Sequence, residues 1–96
     1  MANIFEVKTK DGKIIRLTER QWLHIKQRHP EMANRLNDIE DAIANPTARI
    51  QYSEEVTKFY KFIKDGKKYK KYIMAAVKIL NGDGFVITAY KTRRIS

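Results

Sequence analysis

Both histidines of the chain, His24 and His29, fall within the segment Trp22-Leu23-His24-Ile25-Lys26-Gln27-Arg28-His29-Pro30-Glu31. Histidine titrates nearest neutral pH, so it is the usual proton carrier in catalysis. Here the pair stands among Arg20, Lys26 and Arg28, in a chain with no cysteine. Imidazoles beside cations suit proton transfer next to a phosphate. The same residues also suit an ordinary helix end, since Pro30 stops or sharply bends a helix.

Helical phase separates the two histidines. At about 100° per residue, Arg20, His24 and Arg28 follow one another at i, i+4 and i+8 and form a basic ridge. His24 on that ridge is the leading general acid or base, with Arg28 to hold phosphate. His29 continues the Trp22/Ile25 side and reads first as a helix-end residue. Metal chemistry fits poorly: the histidines are five apart, not four as in His-Glu-x-x-His, and no compact acidic cluster suggests magnesium. No cofactor is expected.

The elements that must position these groups follow from periodicity. Ile4 to Lys8 alternates, Asp11-Gly12 supplies a turn, and Lys13 to Leu17 continues as a second strand, so a hairpin opens the chain. Thr18 is the expected N-cap of a first helix, with Glu19 in its first turn. A second helix is expected from Glu31 to Ala44, burying Met32, Leu36, Ile39 and Ile43, with Asp38, Glu40 and Asp41 toward solvent. After Pro46 the period becomes two. Strands are expected over Ala48–Tyr52, Val56–Lys64, Lys68–Leu80 and Phe85–Thr92, with turns at Asp65-Gly66 and Asn81-Gly82-Asp83-Gly84. The expected fold is α+β: an N-terminal β-hairpin, two helices, then a four-stranded antiparallel meander with the helices on one sheet face. Ninety-six residues make a single domain, in which residues 1–17 are an accessory hairpin and 18–94 the core.

Strand parity then assigns faces. Ile73, Ala75, Val77 and Ile79 should face the helices, as should Phe85, Ile87 and Ala89 of the last strand. The other face should collect Lys70, Tyr72, Met74 and Lys78 with Val86, Thr88, Tyr90 and Thr92, joined by Lys58 and Tyr60. Basic groups interleaved with aromatics suit phosphate contact and base stacking, although Tyr and Thr are also simply good strand formers.

Charge points the same way. Residues 1–47 carry eight Lys/Arg against seven Asp/Glu, whereas residues 48–96 carry twelve against four. A half with an excess of +8 attracts polyanions. No apolar run approaches the roughly 20 residues of a membrane span, and the N-terminus shows no secretory signal. A cytoplasmic protein without membrane contact is expected. RNA fits this site better than DNA, because its 2′-OH is a built-in nucleophile. The protein need only take one proton, give another and stabilise phosphoryl charge. His24, a hydroxyl of the last strand, and the cations near Lys91-Thr92-Arg93-Arg94 have those capacities.

Trp22-x-His24-x3-Arg28-His29-Pro30-Glu31, the order of elements, and Val86-Ile87-Thr88-Ala89-Tyr90 resemble small phage-associated nuclease-like domains. Those are grouped with barnase, EndoU, colicin E5/D and RelE in the BECR superfamily. The resemblance covers roughly residues 17–94. It implies a metal-independent ribonuclease, often a toxin paired with an acidic antitoxin protein. By position it implies catalytic roles for His24, His29 and Glu31 from the helix and for Thr88 and Tyr90 from the last strand. Phosphate contact would fall to Arg20, Arg28, Lys70, Lys78, Lys91, Arg93 and Arg94. The alternatives are a non-catalytic nucleic-acid-binding module and a basic protein-interaction domain.

Overall fold

The computed structural model describes residues 2–64 and 71–95. Strands β1 (Asn3–Lys8) and β2 (Ile14–Thr18) form the hairpin expected around Asp11-Gly12. Gly12 has φ +90°, a left-handed conformation that glycine adopts without strain. The Lys13 N–H donates to the Thr9 hydroxyl at 2.9 Å and closes the turn. The Thr18 hydroxyl accepts from the Gln21 N–H at 3.1 Å, so Thr18 caps helix α1 (Glu19–Arg28) as its sequence position predicts.

The second helix differs from expectation. Pro30–Met32 forms a single 3-10 turn, and helix α2 runs only from Leu36 to Ala44. Proline fits the first position of a helix, which explains the turn, but Ala33, Asn34 and Arg35 intervene before helix α2 begins at Leu36. The apolar stripe survives this break: Met32, Ile39 and Ile43 are fully buried, and Leu36 packs against them in part.

Strands β3 (Ala48–Gln51), β4 (Val56–Phe62), β5 (Tyr72–Leu80) and β6 (Asp83–Thr92) are antiparallel neighbours in sequence. The expected turn at Asp65-Gly66, the start of the expected third meander strand and Lys70 lie outside the described residues. A separate four-stranded meander is nevertheless overturned. The sheet is six-stranded and mixed, in the order β1-β2-β6-β5-β4-β3, because β2 pairs in parallel with β6. The fold is therefore a mixed α/β one, and the hairpin extends the sheet.

Two features make that junction work. Ile15 and Leu17 of β2 are fully buried in the main core, so their burial ties the hairpin to the sheet. Gly84 of β6 provides the room. A Cβ there would stand 2.5 Å from the Lys78 carbonyl oxygen and 3.0 Å from Ile15 Cδ1. A parallel pair carries no connecting turn in the sequence, so no local signal announces it.

The parity assigned to β6 also needs correction. The register of β5 with β6 shifts between Ala76 and Val77: Ala76 faces Thr88 and Val77 faces Val86, leaving Ile87 as an extra residue. This β-bulge reverses the alternation before it. Val86, not Phe85, is buried in the main core, while Phe85 is exposed, and Ala89 beyond the bulge faces the core as expected.

Ile73, Ala75, Val77, Phe59, Ile15, Leu17, Trp22, Ile25, Met32, Ile39 and Ile43 meet in one core between sheet and helices. Asp11, in the first hairpin turn, lies 3.6 Å from Arg49 of β3 although these elements are at opposite ends of the strand order. The sheet is thus curled around α2. Its other face is not the open basic surface the alternation suggests. Tyr60 and Met74 are 3% and 2% exposed, in a second cluster with Ala76 flanked by Tyr72, Tyr90, Ile50 and Ile95. Among the described residues, no helix is long and apolar enough to cross a membrane.

Candidate active site

β2 covers β6 only along Asp83–Phe85, so the edge of β6 from Val86 onward is left to α1. Two contacts fix the helix there. The Gln21 side-chain amide donates to the Ile87 carbonyl, freed from regular pairing by the bulge. At the far end of α1, the ring of His29 lies 5.2 Å from the ring of Tyr90, centroid to centroid. The eight residues from Gln21 to His29 advance about 12 Å along a helix. The three from Ile87 to Tyr90 advance about 10 Å along a strand. The near match shows that α1 runs alongside β6 in the same direction, holding His29 beside Tyr90.

His29 joins two roles. Its backbone N–H donates to the Ile25 carbonyl at 2.7 Å and ends α1, which is the helix-end role its position predicts. Its side chain is 31% exposed, tilted at 40° to Tyr90, with Nδ1 3.9 Å from Glu31 Oε2. The 3-10 turn begun by Pro30 brings Glu31 to that position. The imidazole is thus flanked by a phenol and a carboxylate. Nε2 of His29 and the Tyr90 hydroxyl make no hydrogen bond among the described residues, which leaves a proton carrier and a hydroxyl available at one edge.

Thr88 precedes Tyr90 on the same side of β6, opposite Ala76, and is half-buried. His24, by contrast, is exposed and makes no hydrogen bond, ion pair or ring contact among the described residues. It lies about 60° further round α1 than Gln21, in a shallow depression lined by Arg20, Gln21, Leu23 and Gln27. The structure brings together His29, Glu31 and Tyr90 and does not bring His24 to them.

The expected phosphate-binding residues divide. Lys78 is 3.6 Å from Glu55, so a carboxylate already answers it. Lys91 alternates to the helix side of β6, pairing with Ile73, away from the face of Tyr90. Arg28 stands seven residues after Gln21 and so shares its flank toward β6, next in sequence to His29. Arg93 and Arg94 follow directly on β6 and are exposed. Arg28, Arg93 and Arg94 have no carboxylate partner among the described residues, and neither does Arg20 further up the helix.

Two carboxylates elsewhere are held by nearby donors and cations. Asp11 is held at about 2, below its ordinary 3.8, chiefly by the Thr9 hydroxyl and then by the Lys13 ammonium, with Arg49 adding to the field. Asp41 is lowered by the Asn45 side-chain amide and by Lys61, whose ammonium is 3.1 Å away. Arg28, Arg93 and Arg94, at the ends of α1 and β6, carry positive charge that no carboxylate among the described residues answers, as do Lys8 and Lys10 on the first hairpin. Among the described residues, no three His, Asp or Glu side chains converge as metal ligands would.

Two residues that matter here escape sequence reasoning. Gln21 is a polar residue on a helix flank with nothing to single it out. Its partner carbonyl exists because of a bulge that no residue type announces. Lys71, beside the first residue of β5 and opposite the end of β6, is exposed and without a carboxylate partner among the described residues. Its neighbourhood with Arg93 depends on cross-strand register. Comparison with protein-family models, curated proteins and solved structures finds no match for this chain.

Proposed function

We propose that the chain is a metal-independent endoribonuclease of the toxin type, acting on RNA in the cytoplasm and held in check by an acidic antitoxin protein. The observation that carries the reading is the placement of His29, with Glu31 at Nδ1, against Tyr90 amid uncompensated arginines. Attack by the 2′-oxygen forms a bond to phosphorus and breaks the bond from phosphorus to the 5′-oxygen. His29 takes the proton from the 2′-OH, and the Tyr90 hydroxyl gives one to the departing 5′-oxygen. The products are a 2′,3′-cyclic phosphate and a 5′-OH. Glu31 orients the imidazole, and Thr88 lies on the substrate side of the same strand. Arg28, Arg93 and Arg94 stabilise charge on the phosphoryl oxygens. In this reading His29, rather than His24, is the catalytic histidine.

The resemblance to the BECR superfamily supports the same chemistry. The test is incubation of the protein with single-stranded RNA in EDTA. Products ending in 2′,3′-cyclic phosphate, lost in a folded His29→Ala variant, support the enzyme. Salt-sensitive RNA binding without cleavage would make the chain a nucleic-acid-binding module. Absence of RNA affinity at low salt would make it a basic protein-interaction domain.

A further inference from the structure

We infer that Phe62 and Tyr72 form a base-stacking subsite beside the His29–Tyr90 edge, so that the ligand is single-stranded RNA presenting an unpaired base. The inference rests on the ribonuclease reading for the position of the phosphate, and adds the form of RNA the site accepts.

Strand register brings three rings together. Tyr90 sits on β6, and Tyr72 of β5 is opposite Thr92, two residues further along on the same side as Tyr90. Phe62 of β4 is in turn opposite Tyr72. The three rings therefore follow a diagonal across adjacent strands, on the face away from the helices. Lys61, the neighbour of Phe62, points to the other side and meets Asp41 of α2. Phe62 and Tyr72 stand edge to face with centroids 5.9 Å apart and planes at 71°. That arrangement leaves the Phe62 ring 48% exposed, although the sheet beside it buries Tyr60 and Met74 almost completely.

The surroundings favour a polyanion over an apolar partner. Lys64 lies two residues past Phe62 and Lys71 is next to Tyr72, both exposed and neither with a carboxylate partner among the described residues. An exposed ring between cations, with further cations at the reacting edge, matches the pattern of aromatic platform and electrostatic track that binds single strands. A duplex holds its bases stacked inside and shows the sheet only its backbone, so the Phe62 ring would have nothing to stack upon.

The test separates binding from cleavage by using a 2′-O-methyl oligoribonucleotide, whose blocked 2′-oxygen cannot attack. Each position in turn carries the fluorescent base 2-aminopurine. The wild-type protein should quench the fluorophore at one or two positions and bind the single strand more tightly than the same strand in a duplex. Phe62→Ala should abolish that quenching and weaken single-strand binding roughly tenfold, while Phe62→Trp restores both. Quenching and affinity unchanged in Phe62→Ala, or equal affinity for duplex and single strand, would overturn the subsite. A protein that shows Phe62-dependent binding here, yet never cleaves unmodified RNA, upholds the subsite and sinks the ribonuclease reading.

Discussion

The His29 imidazole and the Tyr90 phenol stand 5.2 Å apart, centroid to centroid, with their planes tilted by 40°. Sixty-one positions separate them in the chain, and neither belongs to the other's element. The first closes α1 and the second lies near the end of β6. Their meeting depends on the edge that β2 leaves uncovered and on the anchor from Gln21 to Ile87.

The two histidines should respond differently to removal. His29→Ala should lower the rate of RNA cleavage by roughly 10²–10⁴-fold, the range for losing a general acid or base. His24→Ala should leave the rate within about threefold and the stability within about 0.5 kcal/mol, as for an exposed residue without partners. Initial rates on a defined oligoribonucleotide in EDTA, with circular dichroism of each variant, decide between them. A large loss for His24→Ala with none for His29→Ala would reverse the assignment.

Tyr90→Phe keeps the ring against His29 and removes only the hydroxyl. Cleavage should fall by about 10²-fold with stability changed by less than about 1 kcal/mol. If Tyr90→Phe cleaves at the wild-type rate, the hydroxyl is not the proton donor.

The arginines after β6 should act through charge. Replacing Arg93 and Arg94 by alanine should weaken RNA binding at low salt. It should also flatten the dependence of log affinity on log salt by about 0.7 for each phosphate that no longer meets a cation. Titrations across a salt series measure the slope, and an unchanged slope would place the RNA elsewhere.

Gly84→Ala tests the parallel junction of β2 with β6. The new Cβ would meet a backbone carbonyl at 2.5 Å, so the strands must part. The expected loss is about 3 kcal/mol in urea unfolding. Gly12→Ala, with nothing within 4 Å of its Cβ but φ at +90°, should lose only about 1 kcal/mol from backbone strain.

Asp11 predicts an acid limb in stability. The hydroxyl of Thr9, then Lys13 and Arg49, holds its folded pKa at about 2 against an ordinary 3.8. The unfolded chain therefore binds the proton first as pH falls. The stabilisation is complete above about pH 4 and fades as pH drops through about 2. Asp11→Asn should be less stable than wild type near neutral pH, and the gap should close over that acid window. Urea midpoints of both proteins from about pH 5 to pH 2 would show it. A gap constant with pH would exclude the charge as its cause.

Local chemistry in the chain is enough to specify much of this molecule. Thr18, with its capping hydroxyl, starts α1, and Pro30 limits it. Asp11-Gly12 turns the first hairpin, and the spacing of Met32, Ile39 and Ile43 marks one buried stripe. These features act within a few residues, so periodicity and turn chemistry reveal them. The lysine- and arginine-rich composition of the C-terminal half is legible in the same way.

The remainder depends on how distant segments pack. The parallel pairing of β2 with β6 joins strands that share no turn, and Gly84 serves it through a clearance visible only in three dimensions. The bulge at Ile87 inverts the faces of Phe85 and Val86, because one extra residue shifts a period of two. Helical phase expects His24 on a basic ridge and His29 on the Trp22 side, and His24 is exposed in the structure. Phase alone could not tell which ridge meets a hydroxyl, since that depends on where the neighbouring strand runs. The edge of β6 passes the end of α1, so it is His29 that meets Tyr90.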